Sequence, residues 1–154
     1  MPETFPRSPY DAIDGLVYFP RMLDKIRLKA AGRLPKAYEE FLGSNFDGRC
    51  LTLLQVNYEA LRERVLAGGS DEEILAWCHE NGRKRTVEEV EIWSAFMIKR
   101  GWRDETSPRI AFRLAEAGLE HRDAEVATMF DFIDVDEGRT PPDFRRWEPP
   151  RCQA

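Results

Sequence analysis

The stretch Ser70–Gly101, SDEEILAWCHENGRKRTVEEVEIWSAFMIKRG, sets the fold class. Ser70 with Glu73, and Thr86 with Glu89, stand three apart just before runs of periodic apolar residues. At that spacing a hydroxyl and a carboxylate each satisfy a backbone amide at the other's position and so start a helix. Gly82 and Gly101 supply the stops, because glycine is disfavoured within a helix and common just past its end. Two helices, from Ser70 to Gly82 and from Thr86 to Arg100, follow from local chemistry alone.

Working outward, Asn57 caps a helix that runs through Ala67 and ends at Gly68 and Gly69, and Ser107 with Pro108 opens another that Gly118 closes. Upstream, Pro20 suits the first turn of a helix reaching Ala31 before Gly32. Its Phe19, Met22, Leu23, Ile26 and Ala30 fall on one face. Pro35 to Leu42 reads as a short helix terminated by Gly43, and Ser44 to Gly48 as a loop. Cys50 to Val56 fits a buried strand or a buried helical turn equally well; with no second strand to pair with it, helix or irregular structure is favoured. A last helix is expected from Asp123 to Glu137, with Val126, Met129, Phe130 and Ile133 inward.

The expected architecture is therefore all-α: an irregular bundle of about six helices over residues 16–138 in a single domain. An extended arm over residues 1–15 precedes it, since Pro2, Pro6 and Pro9 bias their predecessors away from helix. A Pro-rich tail over residues 139–154 follows, with Phe144 and Trp147 as anchors over the bundle. With 154 residues, 42% of them hydrophobic, the chain can bury one core without staples.

The net charge of -5 argues against non-specific coating of nucleic acid, which needs an excess of Lys and Arg along one face. Cys50, Cys78 and Cys152 form no C-x-x-C pair, and reduced thiols in a cytoplasmic setting are expected. Met1 to Tyr10 has no apolar h-region, and Leu51 to Val56 is too short to cross a bilayer, so neither a secretory signal nor membrane association is expected. His79 and His121 have no ligand partners at metal spacing, and no phosphate loop, nucleophile elbow or H-E-x-x-H is present. No cofactor and no metal is expected.

Three blocks carry a resemblance: Tyr18 to Arg27 (YFPRMLDKIR), Ser70 to Trp77 (SDEEILAW) and Phe130 to Arg139 (FDFIDVDEGR). In order and approximate distance they resemble a bacterial family known as domain of unknown function 5069, over about Ser8 to Arg139. The stretch from Gly43 to Gln55 departs most from the pattern. The resemblance implies a bacterial helical protein and brings neither an activity nor functional residues.

Charge is segregated at the first helix, where Arg21, Lys25, Arg27, Lys29, Arg33 and Lys36 face one acid, Asp24. Arg21, Lys25 and Lys29 share a flank, and Asp24 stands three residues from both Arg21 and Arg27. The last helix carries Asp134, Asp136 and Glu137 at its C-terminal end, where the macrodipole disfavours carboxylates. A cationic neighbour is expected there, from the first helix or from Arg139. The candidate binding residues are Arg21, Asp24, Lys25, Asp131, Asp134, Glu137 and Arg139, in a polar pocket between first and last helices. A calcium loop at Asp134-x-Asp136-x-Gly138 lacks a ligand and the glycine position.

The function expected is binding without catalysis, of an unknown protein partner or a small anionic ligand. The alternative is a small enzyme whose acid and base come from Asp24, Asp134 or Glu137; the two differ in whether those carboxylates face an open cleft or are capped by cations. A homodimer through the aromatic residues near Trp93 and Trp102 is a third possibility.

Overall fold

At the second of the two capping sites the reciprocal bonds are both made: the Thr86 hydroxyl accepts from the Glu89 amide at 3.1 Å, and the Glu89 carboxylate accepts from the Thr86 amide at 2.8 Å. At the first, the Ser70 hydroxyl accepts from the Glu73 amide at 3.2 Å without the return bond. The computed structural model describes residues 4–143, 146 and 148–152. The elements in order are β1 (Ala12–Ile13), β2 (Leu16–Val17), α1 (Phe19–Ala30), a 3-10 segment (Lys36–Phe41), α2 (Phe46–Leu54), α3 (Tyr58–Leu66), α4 (Asp71–Asn81), α5 (Val87–Lys99), α6 (Ser107–Glu116), a second 3-10 segment (Glu120–Glu125) and α7 (Met129–Asp136). The fold is all-α apart from one small hairpin, and it is the irregular bundle that the caps and stops imply.

Three local expectations are corrected. The arm is not extended throughout, because β1 and β2 pair antiparallel, with Ala12 opposite Val17 and Ile13 opposite Leu16. Asp14 and Gly15 make the connection with φ of 47° and 78°, the positive values that a two-residue hairpin turn needs and that an Asp-Gly pair accepts. The expected loop over Ser44 to Gly48 gives way to helix from Phe46 onward, and Cys50 to Leu54 is helical. A Cβ at Gly48 would meet the Gly43 carbonyl oxygen at 3.5 Å, an ordinary contact, so the helix passes through this glycine without needing it.

The expected helix from Asp123 to Glu137 is broken. Its first part is the 3-10 segment, and α7 starts afresh where the Thr128 hydroxyl accepts from the Asp131 amide at 3.2 Å. The Asp131 carboxylate reaches back to the Ala127 amide at 2.9 Å, so Thr128 and Asp131 together satisfy amides that a continuous helix would have bonded itself. Phe144 and Trp147, the expected anchors of the tail, lie outside the described residues.

Among the described residues, two apolar clusters form the interior. The larger joins the hairpin to α1 through α5, around Phe19, Met22, Leu61, Ile74 and Met97. The smaller gathers Ile110 and Leu114 of α6 with Val126, Phe132 and Val135. α7 belongs to both: Phe130 packs into the larger cluster while Phe132 and Val135 point to the smaller. Eight residues of one helix thereby fix where α6 stands relative to α1 and α2. Between them is a cleft.

Candidate functional site

α1 lays Arg21 and Lys25 on one flank, four residues apart, and the structure buries both. Arg21 grips Glu137 with a two-pronged bond, Nη1 to Oε1 at 2.8 Å and Nη2 to Oε2 at 2.7 Å. The Tyr38 hydroxyl donates to the same carboxylate at 2.6 Å, and Arg139 donates to it at 2.5 Å. Burial pushes the Glu137 carboxyl up, but these donors overcome it and hold the group below its ordinary value. Glu137 caps the C-terminal end of α7, so the cations compensate the helix end where charge alone would be unfavourable.

Lys25 meets an acid absent from the sequence-based candidates. Its Nζ donates to Asp47 Oδ1 at 2.9 Å, where the Tyr18 hydroxyl also donates, at 2.7 Å. The other oxygen of Asp47 accepts the Gly43 amide at 3.0 Å. Burial draws the Lys25 ammonium below its usual range against the pull of Asp47. Asp47 escaped notice because it lies in the segment read as a loop; taken as the first turn of α2, it becomes a helix-start acid on a buried face.

The remaining candidates stand apart from that pair. Asp24 accepts from Arg7 at 2.8 Å and lies 3.5 Å from Arg27, and both arginines continue to Asp71, each at 2.7 Å. Asp131 is buried under the Tyr10 hydroxyl at 2.5 Å, and Asp134 is 3.4 Å from Arg139. Burial raises the carboxyls of Asp131 and Asp134 in spite of those donors. Of the seven candidates, Arg21, Lys25 and Glu137 reach the cleft, while Asp24, Asp131, Asp134 and Arg139 do not line it.

The cleft has a volume of about 500 Å³ and runs between α1, the Lys36–Phe41 segment, the start of α2, α6 and α7. Tyr18, Tyr38, Phe41, Phe46 and Phe132 give it aromatic walls. Four further cations line it: Arg49, Arg100, Arg109 and Arg113. Arg49 and Arg100 lie against the same Phe96 ring, at 5.0 and 5.7 Å from its centroid, and Arg113 lies 5.9 Å from that of Phe41. Arg100 pairs with Asp104 at 3.4 Å and Arg113 with Glu116 at 3.1 Å. Among the described residues, Arg49 and Arg109 have no acidic partner, and the Arg113 Nε is buried without an acceptor.

Sequence reasoning missed these four arginines because they are dispersed over α2, α5's end and α6. One sign was present: Arg109 and Arg113 are four apart and so share a flank of α6. Among the described residues no group of three or more His, Cys, Asp or Glu could hold a metal ion. Cys50 and Cys78 are buried, and burial pushes the Cys78 thiol up to about 12, so neither is a ready nucleophile.

With this geometry in view, the family comparison covers nearly the whole bundle: residues 3–139 match the model of a domain of unknown function, DUF5069. The chain belongs to the DUF5069 family. The matched span includes α1, α2, α6 and α7, so every wall of the cleft lies inside the DUF5069 region. Comparison with curated proteins finds no match. No described helix of this DUF5069 chain is long and apolar enough to cross a membrane.

Proposed function

We propose that the protein binds a small anionic molecule in the cleft and carries out no chemistry on it. The observation that carries this reading is the division of charge around the cleft. The three carboxylates that the sequence offers as acid and base are occupied by cations: Asp24 by Arg7 and Arg27, Asp134 by Arg139, and Glu137 by Arg21 and Arg139. A general base needs a lone pair open to substrate, which a carboxylate gripped by guanidinium groups does not offer. Six cations line the cleft against three carboxylates, Glu116, Asp136 and Glu137; among the described residues Asp136 has no ion pair, and Arg49 and Arg109 are exposed with no acid at ion-pair distance. Guanidiniums over aromatic walls hold the charged end of a ligand while its apolar part leaves water.

A cytoplasmic setting belongs to the same proposal and is supported by the free thiols of Cys50, Cys78 and Cys152. A second reading, binding of a protein partner, draws support from the exposed side chains of Ile92, Trp102 and Phe112. Trp93 packs against the larger core, so that surface would not be led by both tryptophans named from the sequence.

The test is a thermal-shift panel of aromatic carboxylates, sulfonates and phosphates against the full chain. At least one should raise the melting temperature in proportion to the logarithm of its concentration, and the response should vanish in an Arg49→Gln/Arg109→Gln variant. A flat panel, or equal responses from variant and wild type, would remove the cleft as the binding site.

A further inference from the structure

We infer that the outward face of α5 is an interface with a second copy of this chain, the two helices packing antiparallel about a two-fold axis. α5 turns Ser94, Met97 and Ile98 inward, and Val90 and Trp93 pack against the larger core beside them. Its outward face nevertheless carries Ile92 and Phe96, which are 64% and 42% exposed. They stand four residues apart and so adjoin on one stripe of the helix. Glu88 continues that stripe four residues before Ile92, and Lys99 continues it three residues after Phe96. The stripe is apolar in the middle and oppositely charged at its two ends.

Charge selects the partner and its direction. Within α5 the acids Glu88, Glu89 and Glu91 all precede Ile92, while the helix's one base, Lys99, stands at its C-terminal end with Arg100 following. Some of these charges are already answered, since Glu89 is 3.7 Å from Arg85 and Arg100 is 3.4 Å from Asp104. Glu88 and Lys99 are exposed and make no ion pair among the described residues. Two copies packed parallel would set Glu88 against Glu88 and Lys99 against Lys99. Packed antiparallel with Ile92 opposite Phe96, each copy brings its Glu88 to the Lys99–Arg100 end of the other, and the two-fold axis makes the contact twice. Outside the helix, Arg83 and Lys84 precede it and Arg103, Asp104 and Glu105 follow it. The antiparallel arrangement sets those ends against each other too, whereas the parallel one would oppose the two basic ends.

Two further features suit this face to docking. The Arg49 and Arg100 guanidiniums hold the Phe96 ring from 5.0 and 5.7 Å, so covering the ring removes little side-chain freedom. An aromatic anchor edged by arginine is also the composition that protein interfaces favour. The described tail residues leave the stripe's centre open: Pro149, Pro150 and Arg151 share a groove with Glu91, Ala95 and Lys99 on the adjoining flank, and Ile92 and Phe96 stay exposed. Glu88, Ile92, Phe96 and Lys99 do not line the cleft, so this interface stands or falls independently of what the cleft binds.

Sedimentation velocity on the full chain tests this. Two apolar residues per copy make a weak dimer, so the series runs from about 5 to about 500 µM, and the mean mass should climb from one chain toward two. Ile92→Asp should raise the dissociation constant about ten-fold or more, because it carries an unpaired charge into the contact, with the circular dichroism spectrum unchanged. Glu88→Lys and Lys99→Glu should each weaken the dimer about three-fold or more. The double variant Glu88→Lys/Lys99→Glu should return to within about two-fold of wild type, since reversing both signs restores the contacts of an antiparallel pair. A monomer at every concentration overturns the proposal and leaves the face to a different protein. A dimer that Ile92→Asp leaves intact, or a double variant weaker than either single one, overturns it as well: the first places the contact elsewhere, and the second means that the helices do not run antiparallel.

Discussion

The inner and outer walls of one cleft are built on opposite terms. On the inner wall Arg21 and Lys25 are 5% and 4% exposed, and each meets a buried carboxylate at hydrogen-bond distance. On the outer wall Arg49 and Arg109 are exposed and meet none. A charge withdrawn from water is tolerable only when paired and hydrogen-bonded, so the inner pairs belong to the scaffold. A charge left in water loses little by standing alone and remains available to a ligand. The contrast separates residues that hold the cleft open from those that would recognise what enters it, although both groups share one chemistry.

The sharpest way to break this comparison is to remove one half of an inner pair. Asp47→Ala would strand the Lys25 ammonium and the Tyr18 hydroxyl in the interior and free the Gly43 amide. Breaking a buried pair in this way costs about 3–5 kcal/mol, read as a lower urea midpoint. Replacing both members, Lys25→Met with Asp47→Leu, should recover most of that loss, because the penalty comes from the stranded charge rather than from the missing bond. If Asp47→Ala unfolds at the wild-type midpoint, the inner wall is no scaffold.

How far the inner wall could be read from sequence differs between its two pairs. The link between the first helix and the acidic end of the last was legible, since carboxylates at a helix C-terminus call for a cation and the only concentrated basic flank was that of α1. The particular acid was not: Arg21 reaches Glu137, while Asp134 goes to Arg139, a choice made by side-chain reach across the packed helices. Lys25 with Asp47 was hidden because a glycine and an asparagine disguised the start of α2 as a loop. Most of the fold was legible because caps and glycine stops act within one turn. The cleft was not, because its arginines come together only after α7 has fixed α6 against α1 and α2.

Acid titration sharpens the comparison with a smaller effect. Glu137 has its folded carboxyl held below the ordinary value of 4.5, so its contribution is complete above that pH and is lost as pH falls through the folded value. Asp131 and Asp134 have the opposite sign: their raised carboxyls bind the proton more readily in the fold, which lends stability as pH falls toward the ordinary value of 3.8. Glu137→Gln should therefore lower the melting temperature most at neutral pH, and the deficit should narrow on going to about pH 3. A deficit independent of pH would mean that Glu137 acts by shape and not by charge.

The smallest effect is expected at the outer wall, and it is the one that decides whether the two walls differ in kind. Arg109 makes no ion pair among the described residues and stands exposed on α6, so Arg109→Gln deletes a charge without stranding another. Glutamine is also a good helix former, which leaves the backbone term almost unchanged. The melting temperature should move by less than about 2 °C, against the large loss from Asp47→Ala. A loss at Arg109 comparable to that at Asp47 would mean that the outer arginines also support the fold. Their charge would then belong to the scaffold and would not be available to a ligand.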